Sequence, residues 1–309
     1  MVLASRRGAV VVVVGFLLMA ACGRETPDVA DAPTSVTFPM TITAANGPVV
    51  VEQRPERIVS LSPTATEMLF AIGAGDQVVA VDDQSNFPAG VPKTDLSGFQ
   101  PNAEAVADRE PDLVVLSDDI NEIVNSLEAL KIPTLHQPAA AKLDDSYAQI
   151  EQLGAATGHA RQAAALVTSM RTRIERLAGS APTRKLTYYH ELDQKLFSVT
   201  SQTFIGQIYE LAGLDNIADA AQGADTGYPQ LSAEYIIKAD PDVIFLADTK
   251  CCGQSEAKVA QRPGWDQIAA VKSGAVVELD DDVASRWGPR IVDLLETVVE
   301  ELNDVEEAA

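Results

Sequence analysis

The chain has 309 residues, 46% of them hydrophobic, with a formal net charge of −22 and only 5% aromatics. That length accommodates two ordinary domains, and the apolar fraction supplies a core for each. An acidic balance with no basic stripe leaves nothing to neutralise phosphates, so nucleic acid is excluded as a partner, and the charge serves mainly solubility.

Arg6 and Arg7 precede the apolar run "GAVVVVVGFLLMAAC". A charged start, a short apolar stretch and small residues before a cut read as an export signal over residues 1–21. The run is short for a mature transmembrane helix. Leu18-Met19-Ala20-Ala21-Cys22 resembles a bacterial lipobox, so Cys22 is expected to carry lipid and anchor the mature protein to the cell membrane. A polar tether over 22–36 follows. With Cys22 assigned, only Cys251 and Cys252 remain; being adjacent, they cannot staple distant parts of the fold. A vicinal disulfide is open to them in an oxidising compartment. His136, His159 and His190 have no metal-ligand spacing, so neither a metal site nor a cofactor is expected.

"TFPMTITAANGPVVVE" alternates on either side of Asn46-Gly47 and predicts a hairpin. "RIVSL" and "QVVAV" predict strands around a helix capped by Ser62 or Thr64, with Met68, Leu69 and Ile72 on its apolar face. "NAEAVADREPDLVVL" predicts helix, Pro-Asp turn and strand; "INEIVNSLEALKI" predicts a helix and "PTLHQ" a short strand. Leu166, Val167, Met170, Ile174 and Leu177 then recur at helical spacing within one long connecting helix. Beyond it, "LTYYHEL" and "LFSVT" predict strands and "SQTFIGQIYELAGLDNI" a helix. "SAEYIIKADPDVIFL" supplies helix, turn and strand, and "GWDQIAAVKSGAVVEL" a helix and a strand. A closing helix carries Ile291, Leu294, Leu295 and Val298 on one face.

Two of these segments are the same device. "NAEAVADREPDLVVL" and "SAEYIIKADPDVIFL" align without a gap at an offset of 130 positions, pairing Glu104 with Glu234, Pro111 with Pro241 and Asp112 with Asp242. Strands alternating with helices imply parallel α/β sheets. The expectation is an α/β fold of two similar lobes, 37–140 and 184–309, joined through 141–183 by a single long helix, with the ligand cleft between them.

Together with "NGPVVVEQRPERIVSLSPTATEMLFAIGAGDQVVAV", "RPGWDQIAAVKSGAVVELDDD" and the closing helix, the repeated units resemble the iron-siderophore/cobalamin class of substrate-binding proteins that serve ABC importers, the cobalamin-binding members most of all. The resemblance covers essentially all of the mature chain. It implies an extracytoplasmic monomer that captures a corrinoid or ferric siderophore. It also implies delivery to a dimeric permease with a cytoplasmic ATPase, and little movement of the lobes on binding. Family members carry one exposed glutamate per lobe for docking on permease arginines; Glu104 and Glu234 match by position, and a two-fold permease asks for one anchor per lobe. As helix N-terminal residues, the two glutamates also suit the helix dipole. "DDVASRWGPRI" matches the Asp-x-x-x-Arg pair of cobalamin-binding members with Asp282 and Arg286. Tyr228 falls where an aromatic faces the ligand, and Gln84 stands where another is expected, with Phe99 nearby.

Chemically, a corrinoid asks for flat apolar contacts and amide hydrogen bonds, available from Tyr228, Phe99 and Trp287. An anionic siderophore asks for cations such as Arg286, and haem for an axial ligand such as His190 or Tyr189. Trp265 reads as core, and Asp280-Asp281-Asp282 as a strand end entering a cleft loop. No Gly-x-Ser-x-Gly, His-Glu-x-x-His or phosphate-binding glycine loop is present, so an enzyme is not expected. A lipid-anchored sensor that binds the same ligand without transporting it fits the same residues.

Overall fold

The computed structural model describes residues 36–308; the export segment, Cys22 and the tether up to residue 35 lie outside the described residues. A hairpin opens the fold, with β1 (Met40–Ala44) antiparallel to β2 (Gly47–Val51) and Ala44 opposite Gly47. Gly47 takes φ +102°, which favours glycine on leaving the turn. Asn46 ties the hairpin down: its amide donates to the Thr134 carbonyl at 3.0 Å and its oxygen accepts from His136 N–H at 3.1 Å.

The first lobe is a parallel sheet of β3 (Ile58–Leu61), β4 (Val78–Val81), β5 (Leu113–Leu116) and β6 (Thr134–His136), in the order β4-β3-β5-β6. The second lobe is a parallel sheet of β7 (Thr187–Glu191), β8 (Asp215–Asn216), β9 (Val243–Leu246) and β10 (Val276–Glu278), in the order β10-β9-β7-β8. Matching strands by chain order, the two sheets have one topology. Their central strands keep the 130-residue offset in register, Ile58 opposite Leu113 and Tyr188 opposite Val243.

The repeated unit keeps the same local devices in both lobes. Asn102 and Ser232 each cap a short helix, Ala103–Ala107 or Ala233–Ala239, by accepting from the N–H three residues on. Glu110 and Asp240 both leave the helix with positive φ, at 49° and 50°. The Pro-Asp aspartate is a clamp between neighbouring strands: Asp112 accepts from Glu56 and Arg57 N–H, and Asp242 accepts from Thr187 N–H and hydroxyl. Burial of β5 and β9 on both faces explains their unbroken apolar sequence.

The 141–183 segment is two helices rather than one. Leu143–Thr157 ends at Gly158, whose φ of 79° is left-handed, and Ala160–Ser180 starts afresh. Gly154 gives the reason for the pairing: a Cβ there would come within 2.3 Å of Ala163 Cβ, so the helices meet backbone to backbone. Only Ala160–Ser180 runs as the long connector, about 30 Å at 1.5 Å per residue. It buries Val167, Met170, Ile174 and Leu177, while Arg173 reaches Asp293 and Glu296 on the closing helix Ile291–Ala308.

One other expectation is corrected, and three short elements were not anticipated. "LFSVT" is not a sheet strand: its backbone pairs instead with the loop 227–231, Ser198 N–H to Pro229 and Thr200 N–H to Gly227, apart from the sheet. The two-residue β8 and the short helices Thr249–Cys252 and Asp281–Ser285 give no periodic signal because each spans barely a turn.

Candidate ligand cleft

In a parallel sheet the carboxyl ends of the strands and the loops after them form the crevice. In the first lobe they enclose a cavity of about 280 Å³, lined in part by Leu61 at the end of β3, Asp82 and Gln84 after β4, and Ser117, Asp118 and Ile120 after β5. Ser62, which caps the helix Pro63–Ala71 through the Ala65 N–H at 3.2 Å, stands at the rim. The second lobe closes the cavity with Asp282, Ser285, Arg286 and Trp287. Five of the sequence candidates, Gln84, Phe99, Asp282, Arg286 and Trp287, thus meet at one cavity.

Arg286 is only 9% exposed, and both of its terminal guanidinium nitrogens are engaged within the protein. It gives hydrogen bonds to Glu67 (2.8 Å), Asn86 (3.0 Å), the Gln84 carbonyl (3.1 Å) and Asp282 (2.7 Å). Glu67, 3% exposed, also takes Arg290 in a two-point contact at 2.6 and 2.9 Å. This Glu67–Arg286–Arg290 cluster joins the first lobe to the segment entering the closing helix. The sequence reading missed Glu67 and Arg290; the available signal was a lone carboxylate within an otherwise apolar helix face, and a second arginine four residues after the first.

Asp282 lies where burial opposes ionisation, yet Asn86, Arg286 and Lys250 hold its carboxyl below the usual range. Asp82 is the opposite case. It is 1% exposed, and desolvation raises its pKa despite hydrogen bonds from Gln84 and Ser85 N–H at 2.8 Å. Its second oxygen has no partner among the described residues and its residue lines the cavity. Trp287 is half-buried, its indole N–H fixed on Gln149 at 2.8 Å.

Tyr228 and Phe99 are 51% and 69% exposed, two of the few large exposed hydrophobics. Tyr228 does not line the first-lobe cavity. It sits on the loop that matches the one bearing Phe99: each precedes the repeated helix of its lobe, after the second strand. His190 is not a cleft residue. It is fully buried in β7, bonded through Nδ1 to the Tyr209 hydroxyl at 2.8 Å, and desolvation drops its pKa to about 3. Tyr189 is equally buried, and Trp265 is core, capped by the Arg262 guanidinium at 4.4 Å. Both faces of β7 are covered, so the histidine of "YYHEL" turns to a tyrosine and Glu191 to Arg262, at 2.5 and 2.6 Å.

The three aspartates 280–282 are each committed to the chain. Asp280 caps the helix Asp281–Ser285, Asp281 accepts from the N–H groups of Thr249, Lys250 and Cys251, and Asp282 meets Arg286 and Lys250. Among the described residues no cluster of His, Cys, Asp and Glu is able to hold a metal ion. Glu104 and Glu234 are both exposed in the first turns of their helices.

Two parallel α/β lobes around a cleft, with a long connecting helix, define a ligand-binding protein. Residues 58–283 match the family model described as periplasmic binding protein, and the chain belongs to that family. An uncharacterized ABC transporter substrate-binding lipoprotein, YvrC of Bacillus subtilis, is 30% identical over 93% of each chain. A cobalamin-binding protein of Halobacterium salinarum is 33% identical over 85% of this chain and 74% of its own. The crystal structure of the periplasmic vitamin B12 binding protein BtuF of Vibrio cholerae superposes with a TM-score of 0.69 at 25% identity, covering 82% of this chain and 99% of that one. The chain is therefore a substrate-binding component of an ABC transporter and not an enzyme, with a small-molecule ligand and a permease–ATPase pair as partners. Among the described residues no helix is long and apolar enough to cross a membrane.

Proposed function

We propose that the protein is a lipid-anchored receptor that captures a cobalamin-type corrinoid and presents it for import. One observation carries the ligand class: Arg286 is the only cation among the described residues lining the cavity, and Glu67 and Asp282 already neutralise it. An anionic ferric siderophore finds no uncommitted positive charge there. A corrinoid, with an apolar macrocycle and a fringe of amides, finds the aromatic faces of Phe99, Tyr228 and Trp287 and the oxygens of Asp82, Ser62, Ser117 and Gln84. The cavity is smaller than a corrinoid, so it holds an edge of the ligand, with the remainder between the two exposed aromatics. The names of the cobalamin- and B12-binding relatives support the same reading. With His190 and Tyr189 buried, haem finds neither as an axial ligand.

Titration calorimetry with cyanocobalamin, cobinamide, haem and a set of ferric siderophores tests the ligand; binding of a siderophore or haem but neither corrinoid overturns the reading. The anchor is tested apart from it. Cys22→Ala should release the protein from membranes or stall its processing, and a processed variant still found in the membrane fraction overturns the lipid assignment.

A further inference from the structure

Cys251 and Cys252 are bonded to each other, on the loop that follows β9. The 130-residue offset places them where the first lobe has Asn121 and Glu122, directly after Ile120, a cavity-lining residue. A disulfide between chain neighbours closes no loop of useful length, so it constrains the unfolded chain very little and is no staple. Its surroundings are those of the cleft. The turn that carries it, Thr249–Cys252, gives its N–H groups to Asp281 at 2.9, 3.0 and 2.8 Å. Lys250, beside Cys251, holds Asp280 at 2.6 Å and Asp282 at 3.1 Å. Asp282 is bonded in turn to Arg286 and to Asn86 of the first lobe. Cys251 is exposed and Cys252 half-buried, so the pair is accessible to a reagent from solvent.

We propose that Cys251–Cys252 is a thiol–disulfide modification site whose oxidation state sets the second-lobe wall of the cleft. The reaction partner is a small-molecule disulfide or the disulfide of a thiol–disulfide oxidoreductase. One cysteine thiolate attacks it, forming a mixed disulfide and releasing the first thiol. The neighbouring thiolate then attacks the cysteine sulfur of that mixed disulfide and expels the second. Two cysteine thiols become one disulfide while the incoming disulfide, which takes the electron pair, leaves as two thiols; reduction is the reverse. The oxidised pair closes a small ring that fixes the backbone of both residues, and with it the N–H groups aimed at Asp281. Reduction frees that backbone, loosens the Asp281 cap and releases Lys250 from the Asp280–Asp282 pair beside Arg286. The effect on ligand rests on the corrinoid reading; the effect on the cleft wall does not.

The experiment compares the purified protein before and after reduction and removal of the reductant, alongside the Cys251→Ser/Cys252→Ser double variant. Thiol titration counts the cysteines released. Amide hydrogen exchange is followed at 249–254 and 281–287, and cyanocobalamin is titrated into each form. Expected are two new thiols on reduction, faster exchange in both segments, and cyanocobalamin affinity lower by about fivefold or more. The double variant should resemble the reduced form and ignore reductant. Failure to release two thiols, or identical exchange at 281–287 in both states, overturns the proposal. If cyanocobalamin binds neither form, the corrinoid reading fails, and the exchange data still decide the disulfide.

Discussion

The two lobes share a strand order, a register, a capped helix and an aspartate clamp, yet the ends of their sheets differ wherever a ligand is to be met. At the end of β3 Leu61 lies on the cavity; its counterpart at the end of β7 is Glu191, buried and locked to Arg262. After β5 comes Asp118, exposed at the cavity; its counterpart after β9 is Asp248, wholly buried, with neither oxygen partnered among the described residues. Ser60 matches His190, the one bonded to Thr66 and the other to Tyr209. What is duplicated is the scaffold, and what has diverged is the set of side chains at the strand ends. The first lobe leaves its strand ends open to a ligand. The second fills its own with an ionic and aromatic cluster and meets the cleft mainly through the loops and the segment 282–287.

The largest effect should come from breaking the tie between the lobes. Glu67→Ala leaves the buried Arg286 and the half-buried Arg290 without their shared carboxylate, and loss of one partner of a buried ion pair costs about 3–5 kcal/mol. Urea unfolding should show that loss. An effect below about 1 kcal/mol means that the arginines find other partners and that the lobes are held by the shared core instead.

Asp248 and Asp118 give the next contrast. Burial and the neighbouring Glu191 raise the Asp248 pKa to about 7, against the opposing pull of Arg262. The folded protein therefore keeps this proton at pH values where the unfolded chain, with a carboxyl near 4, has lost it. The unfolded state binds fewer protons in that window, so stability from this group is fully present below about pH 4 and falls as pH rises towards 7. Asp248→Asn should flatten the dependence and gain roughly 1–3 kcal/mol over the wild type at pH 8. Asp118→Asn, at the same place in the other lobe but exposed, should change folding stability by no more than about 0.5 kcal/mol. Equal profiles for wild type and Asp248→Asn remove the buried-carboxyl account.

How much of this was legible beforehand follows from periodicity. The closing helix, with Ile291, Leu294, Leu295 and Val298 all buried, and the repeated units are long and patterned, so their types and faces were readable. The joint of the connecting segment was not, because an apolar pattern continued through Gly158 and only the closeness of Gly154 to Ala163 reveals a hairpin. Asp282 and Arg286 were found through the resemblance to the Asp-x-x-x-Arg pair of cobalamin-binding members, and Trp287 as an aromatic beside them. Their roles were not: a sequence shows that an arginine is near a cleft but not that Glu67, 219 positions away, already holds it. His190 misled because a strand residue next to tyrosines looks alike whether it faces a ligand or a neighbouring helix.

Phe99 and Tyr228 sharpen the comparison at a smaller scale. They are the exposed aromatics on matching loops, and each should contribute about 0.5–1.5 kcal/mol through stacking with a flat ligand. Phe99→Ala and Tyr228→Ala should therefore each weaken cyanocobalamin binding about threefold to tenfold, with no loss of stability because neither side chain is in the core. A variant pair in which only Phe99 matters would confine the ligand to the first-lobe cavity.

Glu104 and Glu234 should show the smallest energies and the closest symmetry. Each is exposed near the start of its helix, in the same burial pattern, and neither lines the cavity. Changing both to Ala should leave corrinoid affinity unchanged and stability within about 0.5 kcal/mol, as expected for exposed positions. If the two glutamates dock on the permease, the effect belongs to that encounter, where exposed ion pairs give about 0.2–1 kcal/mol each and weaken with salt. Binding to the permease in nanodiscs at low and moderate salt should fall modestly for each single variant and further for the double. Lysine at both positions should do more harm than alanine, since like charges across an interface repel. If both lobes dock equivalently, the two single variants will lose the same amount. Unequal losses would mean that the duplicated scaffold meets an asymmetric surface, and normal binding and uptake by the double lysine variant would leave the glutamates as helix N-terminal residues with no docking role.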